Sequence, residues 1–111
     1  MIDGAVDMAS LALDKEGYLR ELADWNERVA VVLAAADAVT LSAAHWEIIW
    51  LLRDFYVETN LSPAMRALVR LVKMRLGEDK GNSIYLMTLF GASPAKSAAK
   101  YAGLPRPTHC L

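Results

Sequence analysis

The sequence has a single cysteine, Cys110, and it is the penultimate residue. One thiol excludes an internal disulfide framework and any cysteine-rich metal site. Long apolar runs are also missing. The longest, Val29 to Ala36, spans eight residues, far short of the roughly 18 that suggest a membrane span. Neither sign of charge dominates, with 12 Lys and Arg against 13 Asp and Glu, so bulk electrostatics gives no case for capturing nucleic acid. The amino terminus lacks a basic, apolar leader, and Asp3 and Asp7 interrupt it. The expectation is a soluble, cytoplasmic protein without membrane contact. No Gly-rich phosphate loop, Ser-His-Asp set or carboxylate pair stands out. His45 has no second ligand at helical spacing, so a hydrogen-bonded structural role is expected, with neither metal nor cofactor.

What is present is enough apolar material for one core. Apolar residues make up 55 % of 111 positions, which suits a single domain over residues 1–111. Leu11-Ala12-Leu13, the polar Asp14-Lys15-Glu16-Gly17 and Tyr18-Leu19 read as a β-hairpin. Helices follow. Asp24, with Glu27 three residues on, reads as a capping box ahead of a stripe through Trp25, Val29, Val32 and Leu33. Ser42 caps a second helix carrying Trp46, Ile49, Trp50, Leu51, Leu52 and Phe55, apolar on most of its circumference and so expected to be central. Ser62-Pro63 signals the start of a third helix through Met65, Leu68, Val69, Val72 and Leu76, which stops at Gly77. Ser83 to Phe90 makes a short fourth helix. Ser93-Pro94 opens a fifth that ends at Gly103. Trp25, Trp46, Trp50, Met65, Met74 and Met87 are expected in the core. The expected fold is therefore mostly helical α+β: an N-terminal β-hairpin packed on about five helices, with an extended, mobile C-terminal arm over residues 104–111.

The arm is stiff in composition. Pro105 and Pro107 cannot continue a helix and favour a polyproline-like path. Eight such residues reach on the order of 25 Å when fully detached. A thiol near a chain end is either a displaced core filler or a reactive group. Terminal exposure favours the second. A cysteine there can hold a sulfur atom as a persulfide and pass it on.

Several stretches support that chemistry. Ala95-Lys96, Ala102-Gly103-Leu104-Pro105-Arg106-Pro107-Thr108 and Cys110 resemble the carboxyl end of the DsrC/TusE family. Upstream, Gly17-Tyr18-Leu19, Asp24-Trp25-Asn26-Glu27, His45-Trp46-Glu47-Ile48-Ile49, Leu52-Arg53, Pro63 with Arg66, and Gly81-Asn82-Ser83 with Tyr85-Leu86 follow the family's order. The resemblance spans roughly residues 11 to 111. It implies a persulfide carrier in a sulfur relay, with Cys110 as the working thiol and a role in tRNA 2-thiouridine synthesis. It also implies a TusBCD-like donor complex, a tRNA thiouridylase as acceptor and only indirect contact with tRNA. The alternative within the family is a single-cysteine paralogue beside dissimilatory sulfite reductase. Two-cysteine members carry a second cysteine eleven residues upstream, where this chain has Ala99, so it is similar to the one-cysteine branch. Gly91 and Ser93, where the family usually has Pro and Gly, and His109, where a small residue is common, depart from the pattern.

Supporting residues carry two readings each. His109 titrates near neutrality and could assist the thiol, although neighbours in an extended chain point to opposite sides. Arg106 and Lys96 either favour a thiolate or persulfide anion or are plain solvated charge. Arg66, Arg70 and Lys73 form one basic stripe on the third helix, which suits partner docking or a solvated face. With the preceding turn the stripe resembles a helix-turn-helix; the near-neutral total charge argues against strong phosphate binding, and a DNA-binding regulatory module with Cys110 as redox sensor stands as a third reading.

Overall fold

Residues 8–108 are described by a computed structural model. Five α-helices follow one another: α1 Glu27–Ala36, α2 Ala43–Thr59, α3 Met65–Leu76, α4 Ser83–Phe90 and α5 Pro94–Tyr101. Single 3-10 turns occupy Met8–Ser10 and Leu22–Asp24. None of the described helices is long and apolar enough to cross a membrane.

The expected hairpin does not form, and the α+β assignment gives way to an all-helical one. Among the described residues there is no β-strand, only one isolated antiparallel bridge between Leu13 and Leu19. The physical reason lies in Asp14. Its Oδ1 accepts from the backbone N–H of Glu16 and of Tyr18, each at 2.9 Å. That side-chain turn folds the chain within four residues, and the chain then enters the 3-10 turn at Leu22 before a ladder can extend. Tyr18 and Leu19 still reach the core, at 4 % and 6 % exposure.

Three helix starts can be compared with the sequence signals. Ser42 caps α2, as expected, and its N–H and hydroxyl both meet His45 Nδ1, at 3.0 and 2.8 Å. His45 Nε2 lies 2.7 Å from the carbonyl of Leu89. A carbonyl only accepts, so Nε2 donates and Nδ1 accepts; His45 is the structural tie between α2 and the end of α4. The cap of α1 is Asn26, not Asp24, and its Oδ1 accepts from Val29 N–H at 3.0 Å. α3 begins at Met65 with Ala64 as its uncapped N-terminal neighbour, and the Ser62 hydroxyl, expected to cap it, is bonded to the carbonyl of Pro105 instead.

The centre of the fold is α5 rather than α2. α5 packs against each of the other four helices, and its Ala95, Ala98 and Ala99 are small enough for close approach. Tyr101, 1 % exposed, fills the space beneath. α2 contributes Ile48, Ile49, Leu51 and Leu52 to the core but leaves Trp50 at 41 % and Val57 at 84 % exposure. Met74 and Met87 are likewise exposed rather than core residues.

Candidate functional site

The carboxyl end of α5 determines how the arm leaves the body. Gly103 takes the left-handed φ of 72° that a glycine accepts without strain. The last carbonyls of α5 are bound by side chains from elsewhere. Trp25 Nε1 donates to Tyr101 at 2.8 Å, and Arg53 Nη1 donates to Ala102 at 2.6 Å. The Arg53 guanidinium carbon also lies over the Trp25 ring, 3.8 Å from its centroid, where cation–π attraction helps to hold it. Burial lowers the pKa of Arg53 from its ordinary value, yet the group stays charged at any physiological pH.

Beyond Gly103 the described part of the arm lies against the body instead of swinging clear. The N–H of Leu104 donates to Ala99 at 3.0 Å, and the Leu104 side chain is 2 % exposed. Ser62 Oγ donates to the carbonyl of Pro105 at 2.6 Å. Ser62, read from sequence as part of a helix start, is thus a contact to the arm. Arg106 Nη1 sits 2.6 Å from both carboxylate oxygens of Glu16. Pro107 is buried.

Two open clefts flank Arg106. One, of about 240 Å³, is lined by Ser93, Lys96, Ser97 and Lys100 along a single face of α5, with Tyr18, Glu16 and Arg106 opposite. The other, of about 410 Å³, is lined by Asp14, Lys15, Glu16, Arg20 and Arg106. The turn between them is a prebuilt platform. Hydrogen bonding from Tyr18 N–H, more than any other cause, holds the Asp14 carboxyl below its usual range. Tyr18 Oη donates to the Lys96 carbonyl at 3.1 Å, and Lys100 Nζ pairs with Asp37 at 3.4 Å. Asp37 also accepts from Tyr101 Oη at 2.9 Å. Burial, first, and that bond raise the Tyr101 pKa far above its ordinary value.

The structure therefore brings Arg106 and Lys96 to one cleft. Cys110 and His109 lie outside the described residues. Arg66, Arg70 and Lys73 are exposed on α3 and line neither cleft. Ala99, 1 % exposed in α5, belongs to the core. Sequence reasoning did not single out Glu16, Ser62, Arg53 or Lys100 for this site. Only Gly103, two residues before a proline, hinted that the helix end was a constrained exit.

Five helices, with residues 104–107 laid against them and charged clefts beside Arg106, define the class: a small helical domain. The chain belongs to the DsrC-like family, whose model, described as "DsrC like protein", matches residues 5–111. It is 50 % identical over 101 residues to the sulfurtransferase TusE of Salmonella paratyphi A, covering 91 % of this chain and 93 % of that one. It is similar to the NMR structure of Allochromatium vinosum DsrC, with a TM-score of 0.84, 46 % identity and coverage of 99 % and 95 %. It is also similar to the oxidised gamma-subunit of dissimilatory sulfite reductase, DsrC, from Archaeoglobus fulgidus, with a TM-score of 0.78, 38 % identity and coverage of 91 % and 92 %.

Proposed function

We propose that this chain is a persulfide carrier in a sulfur relay, with Cys110 as the carrying group. The observation that supports it most is half-identity to sulfurtransferases over nine-tenths of the chain, joined to a lone thiol one residue from the carboxyl terminus. In the loading step the Cys110 thiolate attacks the outer sulfur of a donor cysteine persulfide. The S–S bond of the donor breaks, the donor leaves as a thiolate, and Cys110 becomes the persulfide. Unloading is the same displacement in reverse, with an acceptor thiolate attacking the outer sulfur of Cys110. No net oxidation occurs, and no cofactor is consumed.

The pathway we favour is tRNA 2-thiouridine synthesis in the cytoplasm, with a TusBCD-like complex as donor and a tRNA thiouridylase as acceptor. The relatives named TusE support it, and so does Ala99, which removes the second thiol of two-cysteine family members. In this reading His109, next to Cys110 in sequence, serves as a proton donor or acceptor for the thiol. Lys96 places positive charge at the base of the arm, which favours an anionic sulfur, while the charge of Arg106 is offset by Glu16 until a partner separates the pair. The exposed Arg66, Arg70 and Lys73 form a docking face for a relay partner.

A second reading, favoured by likeness to the sulfite reductase gamma-subunit, keeps the thiol chemistry and replaces the partners with dissimilatory ones. Reconstitution separates the two. Sulfur loaded on the chain and passed to a tRNA thiouridylase should yield 2-thiouridine in tRNA, read by nucleoside mass spectrometry. Efficient loading with no transfer to the thiouridylase, but transfer to sulfite reductase, would select the second. Retention on DNA after replacement of Cys110 would instead point to a regulatory module.

A further inference from the structure

Three of the large apolar side chains that the fold leaves exposed, Leu22, Trp50 and Val57, gather on one face. Leu22 and Val57 line an open groove of about 310 Å³ together with Arg53, Tyr56 and Asn60. Trp50 borders it through Trp25, whose ring meets Trp50 edge-on at 5.3 Å and carries the Arg53 guanidinium over its face. Seven residues separate Trp50 from Val57 on α2, so the two project from the same side, two turns and about 10 Å apart.

The rim of this groove is acidic. Glu21 and Asp24 flank Leu22 in sequence, Asp54 and Glu58 flank Val57 on α2, and all four are exposed. Among the described residues Glu21, Asp24 and Asp54 form no ion pair, and Glu58 makes only a long one, 3.8 Å to Arg75. Four carboxylates therefore stand against the guanidiniums of Arg53 and Arg75. Arg53 is already held by the Ala102 carbonyl and the Trp25 ring. Arg20, beside Glu21, is turned to the Leu13 carbonyl.

We propose that this groove docks an amphipathic helix of a protein partner, with apolar residues inward and Lys or Arg along its edges. Apolar residues at i, i+3 and i+7 of such a helix recur over the same span of about 10 Å that separates Trp50 from Val57. The acidic rim complements the basic edges, which speeds encounter and rejects acidic competitors. A second copy of this chain fits less well, because its basic helix α3 exposes a single large apolar side chain, Met74, to fill the groove. The inference is independent of sulfur carriage, and its test involves no sulfur.

The isotope-labelled full chain is titrated at low salt with a synthetic helical peptide of Leu and Lys, Leu placed at i, i+3, i+4 and i+7, and amide shifts are followed by NMR. Shifts at Leu22, Val57 and Asn60 should saturate together, and a Leu and Glu peptide of the same pattern should bind at least about tenfold more weakly. Asp54→Lys and Val57→Asn, both at exposed positions that spare the core, should each weaken the Leu and Lys peptide about tenfold. Equal affinity for the two peptides, shifts centred on another face such as Ile84 and Met87, or no saturable shift up to about 1 mM peptide overturns the proposal. Shifts that depend on protein concentration with no peptide present also overturn it, because they put a second copy in the groove.

Discussion

Gly103 faces the indole of Trp25 so closely that a Cβ on residue 103 would overlap Trp25 Cδ1 and Cγ. The same glycine has a φ of 72°, so both space and backbone conformation call for a residue without a side chain. Gly103→Ala is expected to destabilise the fold by about 2 to 4 kcal/mol, from left-handed backbone strain plus overpacking. Urea denaturation measures it. A loss below about 0.5 kcal/mol, the range of an ordinary surface change, would contradict the close contact.

Asp14 makes acid stability partly a local matter. Its carboxyl is held below the ordinary 3.8, chiefly by the Tyr18 N–H. A depressed carboxylate pKa contributes stability that is present above the unfolded value and lost as pH falls through the folded one. Asp14→Asn should therefore lower Tm at pH 6, and the gap from the unsubstituted protein should close as pH drops below about 4. Thermal melts across pH 2 to 6 provide the comparison. A gap that is constant with pH would remove the carboxylate from the explanation.

His45 joins two helices through one ring. It accepts from Ser42 N–H, donates to Leu89 and packs edge-on against Phe90, with ring centroids 5.2 Å apart. Replacing it by alanine orphans the Leu89 carbonyl and opens a void beside Phe90. The expected cost is about 2 to 4 kcal/mol in urea. If His45→Ala unfolds at the same urea concentration as the parent, the tie carries no energy.

Elements with strong local punctuation were legible from the sequence. Ser83 to Phe90 is a helix between Asn82 and Gly91, Pro94 opens α5, and Gly103 follows its end. Where two signals compete, sequence cannot choose. Asp24 and Asn26 both suit an N-cap, and tertiary placement of Trp25 between them selects Asn26. No hairpin forms because its turn residues also fit a side-chain turn built on Asp14, and only the chain's next contacts decide between the two. Contacts at the base of the arm were beyond reach for another reason. Glu16 and Arg106 are 90 residues apart and Ser62 and Pro105 are 43 apart, so no local pattern joins them. Cys110, by contrast, stood out through number and position alone.

The most direct measurement is intact mass after incubation with a cysteine desulfurase, its substrate and candidate relay proteins, run beside Cys110→Ser. A carrier gains about 32 Da, one sulfur atom, and loses it on reduction, while the serine variant gains nothing. No gain on the unsubstituted chain with active donors, or an equal gain on Cys110→Ser, would contradict sulfur carriage on Cys110.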